Sequence, residues 1–199
     1  MQLLVLDPIL QRELRDSYEW YTETWDGVEV MPPLPNNVHQ ELQFKLLMPL
    51  AEVVDTPGLG TVTAGVNVTD RHVNWTSNFR GPDVVVYLLT NPATNHGTHW
   101  EGGPDFLVEI ISEGEDPHAK FDFYAGVNTR EVLIVERDPW AVELFQLSGG
   151  RLVSVGRSDV ANGLVLPSGV VPLTFRLVAG TPRPRIEVTH AATGRQWMC

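Results

Sequence analysis

Residues 104–136, PDFLVEIISEGEDPHAKFDFYAGVNTREVLIVE, decide the fold. PDFLVEIIS is a short, nearly continuous apolar run, which predicts a strand covered on both faces. Asp116-Pro117 then offers an N-cap followed by proline at the first helical position, predicting a helix over PHAKFDFYAGV. TREVLIVE returns as another strand, RDPW turns the chain, and AVELFQL runs back. Upstream, RGPDVVVYLLT at 80–90 is a second doubly covered strand and GTVTAGVNVTD at 60–70 alternates, while NPATNHGTHWEGG at 91–103 reads as a loop by composition. Asn36-Asn37 can cap a helix over VHQELQFKLLMPLAEVVD, whose Val38, Leu42, Leu46, Leu50 and Val53 recur at spacings of three and four. Pro49 predicts a kink or an early end there. WDGVEVMPPLP reads as a turn, a short strand and a proline stop, preceded by a mixed helical pattern over 10–26. Gly149-Gly150, Pro167-Ser168-Gly169 and Ala192-Thr193-Gly194 mark hairpin turns. The sum is a mixed α/β (α+β) domain, one central mixed sheet flanked by helices, with extra β-hairpins at the C-terminus.

Composition narrows the class. The chain has 199 residues, 43% hydrophobic and 20% charged, which suits one globular domain rather than a disordered chain. No run approaches the roughly 18 apolar residues of a membrane span. The apolar opening MQLLVLDPIL lacks a basic n-region and meets Asp7-Pro8 too early for a signal peptide. Cys199 is the only cysteine, so intrachain disulfides and cysteine metal sites are excluded. A cytoplasmic protein is expected. The formal charge is −11, and it is uneven: residues 1–60 carry 3 bases and 10 acids, 61–140 carry 5 and 12, and 141–199 carry 6 and 3. Such a surface opposes unaided tight binding to nucleic acid. Twelve of the 14 bases are arginine, leaving Lys45 and Lys120 as the only lysines.

Two carboxylates sit where a bland core would not place them. Asp83 opens GPDVVVYLL, and Glu109 lies in the middle of DFLVEII. A buried glutamate is costly unless it is paired, hydrogen-bonded or bound to a cation. If the two strands are neighbours, about 4.8 Å apart, both carboxylates could hold one hard cation. The alternative pairs Glu109 with an arginine and leaves Asp83 capping a strand. Lys120 lies one helical turn after Asp116 and one before Tyr124, with Phe121, Ala125 and Phe123 available to dock the helix. A compact ammonium there could orient a water molecule and offset developing phosphorane charge; the plainer alternative is a surface lysine paired with Asp116 or Asp122.

Taken in order, the Asp-Gly hairpin, the histidine-bearing helix, RGPDVVV, GPDFLVEIISEGEDPHAKFDFYAGV and TREVLIVE resemble the Uma-type restriction endonuclease family of the PD-(D/E)XK nuclease superfamily. The similarity covers about residues 17–178, leaving 179–199 as a C-terminal β extension of a single domain. It implies the restriction-endonuclease-like fold and a DNA-cleaving enzyme using Mg2+ or Mn2+. Asp83, Glu109 and the carbonyl of Ile110 would be metal ligands. The superfamily's usual lysine would stand at position 111, here Ile111, and Lys120 looks like its replacement. From the first helix either His39 or Glu41 would line the site. The acidic surface then implies a homodimer or a partner protein for DNA binding. A rival within the same fold is a catalytically silent member that binds protein or nucleic acid.

Other clusters carry less. Asp105 follows a second proline but is four residues from Glu109 on one strand, about 13 Å away, too far to share a metal. His96, His99 and Glu101 suggest zinc, against a plain reading as exposed loop residues. Glu113, Glu115 and Asp116 would decorate the helix start, and Arg183-Pro184-Arg185 would either touch phosphate or protect an edge.

Overall fold

The computed structural model describes residues 22–199. Strands β1 (Glu23–Trp25) and β2 (Val28–Val30) form a tight hairpin whose turn residues, Asp26 and Gly27, have φ of 48° and 84°. Left-handed backbone at both positions is what an Asp-Gly turn supplies at least cost. The helical pattern expected over 10–26 therefore fails at 23–25, where strand pairing outweighs a weak periodicity; residues 10–21 lie outside the described residues. Helix α1 (Asn37–Leu50) begins where the Asn36 side chain accepts the His39 N–H at 3.0 Å. Pro49 has no N–H to donate, and beyond Leu50 the winding loosens into a π-helical turn, Ala51–Asp55.

Then come β3 (Gly60–Ala64), β4 (Val68–Thr69), β5 (Phe79–Arg80), β6 (Val84–Leu88), β7 (Thr94–Asn95), β8 (Trp100–Glu101), β9 (Phe106–Ile110) and helix α2 (Phe121–Gly126). The C-terminal part is all strand: β10 (Glu131–Arg137), β11 (Trp140–Ser148), β12 (Arg151–Ser158), β13 (Leu166–Pro167), β14 (Leu173–Val178), β15 (Arg185–His190) and β16 (Gln196–Met198). The central six-stranded sheet has the order β12-β11-β10-β9-β6-β3, with β9 and β10 parallel across α2 and the other neighbours antiparallel. A second sheet, β2-β1-β5-β4-β8-β7, and a third, β13-β14-β15-β16, complete the fold.

Alternation distributes the core. Val84, Val86, Phe106 and Val108 face Leu42, Leu46 and Leu50 of α1 together with Phe175, Leu177, Ile186 and Val188 of the third sheet. On the opposite face Val85, Tyr87, Leu107 and Ile134 meet Val68 and Tyr124. All five residues of β9 are buried, as its apolar run predicts. Residues 179–199 pack into this body through Ile186, Val188 and Cys199.

Two local expectations change. Segment 91–103 contains the β7–β8 hairpin, because β4 offers β8 a parallel edge and Trp100 stacks on Tyr87 at 3.8 Å. Helix α2 starts at Phe121, not at Pro117. The Asp116 carboxylate does accept an N–H, from His118 at 2.9 Å, but this closes a local side-chain turn. The N–H groups of Ala119 and Phe121 then bond three residues back, to Asp116 and His118, leaving Lys120 as the N-cap residue of α2. Tyr124 and Ala125 bury against the sheet, Phe121 packs edge-on to Phe145, and Phe123 lies under the Arg80 guanidinium. Among the described residues no helix is long and apolar enough to cross a membrane.

Candidate active site

β6 and β9 are antiparallel neighbours, with Val84 opposite Val108; continuing the register by one pair sets Asp83 opposite Glu109. Opposed residues of an antiparallel pair project to one side. Both line a cleft of about 420 Å3 together with Glu23, His39, Gln43 and Lys120. The strand relation required of a shared site is thus present.

Asp83 is held from two directions. Its Oδ2 accepts the Ile110 N–H at 2.7 Å, while His39 Nε2 lies 3.3 Å from Oδ1. Gln43, one turn after His39 on α1, donates to the Asp83 carbonyl at 2.8 Å. The other ring nitrogen of His39, Nδ1, is buried and has no hydrogen-bond partner among the described residues.

Glu109 is tied to α2. Tyr124 donates a hydrogen bond to Glu109 Oε1, and Lys120 Nζ lies 3.2 and 3.4 Å from the two carboxylate oxygens. The same ammonium donates to Glu23 Oε1 at 2.8 Å. Glu23 in turn accepts the Gly81 N–H at 2.8 Å and the Trp25 indole N–H at 2.7 Å. Lys120 therefore bridges a carboxylate of the second sheet and one of the central sheet. Its partner set answers the alternative in which an arginine pairs with Glu109: the pairing cation is a lysine.

These contacts set the charges. Burial pushes the Glu109 carboxyl up to about 7; Lys120 opposes that rise, and the Asp83 and Glu23 charges reinforce it. Glu23 is also buried, which acts upward, yet the charge and hydrogen bond of Lys120, with the Gly81 and Trp25 donors, hold it below the usual carboxylate value. Burial works against the Lys120 ammonium, but Glu109 and Glu23 hold its pKa well above that of a free lysine. Burial first, then the Glu109 charge, raise the Tyr124 hydroxyl well above its ordinary value, so it stays a donor. Four carboxylates line the cleft, Glu23, Asp83, Glu109 and Glu115, against one ammonium, so acidic groups are in excess there. The donors are oxygens, the ligand type hard divalent cations take, so the residues fit Mg2+ or Mn2+.

The remaining candidates separate cleanly. Glu41 pairs with Lys45 and Arg183 and lies off the cleft, so α1 presents His39 rather than Glu41. Asp105 is taken by Arg130 at 3.0 Å and by the Leu88 N–H and Asn91 amide at 2.8 Å each. Ile111 lines an adjoining groove with Glu113 and Asp116. Glu115 does line the cleft, where its Oε2 accepts the Ser112 N–H. Arg183 is engaged by Glu41. Glu23 is the member that sequence reasoning passed over, and Tyr124, placed there one turn from Lys120, was given no role in the site. The available signals were the Glu23/Trp25 alternation on β1 and the one-turn spacing from Lys120 to Tyr124.

Tyr124→Phe isolates one contact. It strips Glu109 Oε1 of a buried donor, an omission that costs about 1–3 kcal/mol. Urea unfolding should show a lower midpoint with an unchanged slope.

The fold is a mixed α/β domain whose central sheet carries an Asp/Glu/Lys cleft at the ends of two adjacent strands. The chain belongs to the Uma2 family, described as "Putative restriction endonuclease", whose pattern matches residues 10–176; this places it among nucleases. A crystal structure of a protein described as a putative nuclease of the DUF820 group, from Anabaena variabilis, is similar in fold. It has 16% identity and a TM-score of 0.60, covering 75% of this chain and 82% of that one. No curated protein matches the chain.

Proposed function

We propose that this nuclease is a divalent-cation-dependent endonuclease that hydrolyses phosphodiester bonds in DNA. The observation that carries the reading is the convergence of Asp83, Glu109 and Glu23 on a cleft with a single ammonium, Lys120. Asp83, Glu109 and the carbonyl of Ile110 would hold Mg2+ or Mn2+. The bound cation would neutralise phosphate charge and favour water as the nucleophile. His39 and the Ile110 N–H orient Asp83. Tyr124 fixes one Glu109 oxygen, and Glu23 anchors Lys120 beside it. Lys120, so anchored, orients the attacking water and offsets charge growing on the phosphate oxygens. The net charge of −11 calls for a second copy of the chain, or a partner protein, to supply positive contacts to the DNA backbone.

The test is cleavage of supercoiled plasmid and of single-stranded DNA by purified wild-type protein with Mg2+, Mn2+ or chelator, beside Asp83→Ala. Cation-dependent nicking by the wild type, absent from Asp83→Ala, is expected. Failure of the wild type to cut either substrate, together with no Mg2+ binding by calorimetry, would overturn the reading in favour of a silent, binding member of the fold.

A further inference from the structure

Away from the cleft, the second sheet gathers three imidazoles that the nuclease reading leaves unused. His72 follows β4, His96 sits in the β7–β8 turn and His99 immediately precedes β8. Each offers one ring nitrogen to a group whose members all lie within 4.8 Å of one another. None of the three lines the Asp83–Glu109 cleft. Sequence spacing groups His96 with His99 and Glu101; the fold brings in His72, 24 positions upstream, and sets Glu101 behind His96 instead.

The three rings stack in the cation-free chain, His72 on His96 at 3.9 Å and His96 against His99 at 4.7 Å, so a shared cation requires the exposed His72 ring to turn, while the ring nitrogens are already close enough to serve one ion. His72 Nδ1 and His99 Nε2 face each other at 3.3 Å. With zinc–nitrogen bonds of about 2.0–2.1 Å, the edge between two ligands of a tetrahedron is roughly 3.3–3.4 Å. Two of the three rings also have a nitrogen engaged by a neighbouring side chain. His99 Nδ1 contacts the Thr98 hydroxyl at 3.0 Å, and His96 Nε2 contacts Glu101 Oε2 at 3.0 Å. Such partners fix tautomer and ring orientation and make the imidazole a better ligand.

The turn that carries His96 and His99 is fixed by its own backbone and packing. The His96 N–H bonds the His99 carbonyl at 3.0 Å, and Gly97, at φ 83°, permits the tight turn between them. Trp75 stacks on the buried His99 ring at 4.6 Å. His72 is exposed and His96 half-buried, so a cation could enter from solvent and keep an open position. We infer that His72, His96 and His99 form a binding site for one zinc-class transition cation, separate from the hydrolytic cleft and clipping the β7–β8 hairpin to the loop after β4.

The test uses tag-free protein titrated with Zn2+ against a chromophoric chelator, with Co2+ absorption as a geometric readout. One Zn2+ per chain is expected, with strong visible bands for four-coordinate Co2+. Asp83→Ala should keep that binding, which separates this site from the cleft. His72→Ala and His96→Ala, both outside the core, should leave the metal-free melting temperature unchanged. Each should weaken Zn2+ at least tenfold and abolish the Zn2+-induced rise in melting temperature. Absence of saturable binding, binding unchanged in the histidine variants, or binding lost in Asp83→Ala would each overturn the site.

Discussion

Lys120→Ala should reduce single-turnover, cation-dependent cleavage of DNA by at least 100- to 1,000-fold, the loss seen when one preorganised charge-stabilising donor is removed. The expectation rests on where Nζ lies: 2.8 Å from Glu23 and 3.2 Å from Glu109, beside the cleft that Asp83 also lines. Mg2+ affinity should stay unchanged or tighten, because one positive charge leaves a site already rich in carboxylate. That split between rate and affinity separates a chemical role from a structural one. Lys120→Arg should rescue poorly, since a planar guanidinium is larger and spreads its charge. Both variants need their melting temperatures read with Mg2+ present, because removing one partner of a buried ion pair costs about 3–5 kcal/mol without it. Full activity in a folded Lys120→Ala would reduce the residue to a partner of Glu23.

In the proposed mechanism, Glu23 accounts for how Lys120 serves the cleft from the start of α2. Position 111 is isoleucine, so the ammonium must reach Glu109 from the start of α2. A lysine side chain arriving from another element needs a second anchor to lose its freedom. Glu23 is that anchor, itself fixed by the Gly81 N–H and the Trp25 indole. The hairpin that opens the described chain thereby serves the site: the Asp26-Gly27 turn sets β1, β1 sets Glu23, and Glu23 sets Lys120.

How much of this was legible in advance follows from the range of each interaction. Strands such as VVVYL and FLVEI were readable because burial on two faces demands continuous apolar residues, and a carboxylate inside such a run stands out. Glu109 inside one such run and Asp83 at the mouth of the other stand out in this way. The start of α1 is equally local, set by Asn36 three residues before the His39 N–H that its side chain accepts. The start of α2 was misplaced because an aspartate followed by proline caps a helix or closes a side-chain turn with the same local chemistry. Glu23 was invisible for a different reason: its partner lies 97 residues away, and a three-residue strand has too little pattern to show which side is buried. The pairing of His72 with His99 depends likewise on the parallel contact of β4 with β8. Compositional reading of 91–103 as loop registered its turn residues and missed the edge that β4 provides.

Glu109→Gln should raise the melting temperature of the cation-free protein at pH 8, and lower its response to Mg2+. Burial pushes the Glu109 carboxyl from its ordinary 4.5 to about 7, so the folded chain binds this proton more tightly than the unfolded chain does. The stabilising contribution of the protonated group is complete below about pH 4.5 and is lost as pH rises through 7. Above that, ionised Glu109 penalises folding by roughly 3 kcal/mol, at about 1.4 kcal/mol for each pKa unit. Glutamine removes the charge, keeps an oxygen for Tyr124 and Lys120, and leaves Lys120 its ion pair with Glu23. For a domain of this size, recovery of that penalty corresponds to a rise of roughly 6–12 °C. The variant should also lose the decline in stability that this shift predicts for the wild type between pH 4.5 and 7. With Mg2+ the order should reverse, because binding to the folded wild type adds stability that a chain lacking the carboxylate cannot gain to the same extent. A fall in melting temperature at pH 8 without cation would instead make the Glu109–Lys120 pair a net stabilising bridge, and would remove the electrostatic strain on which a cation-binding cleft depends.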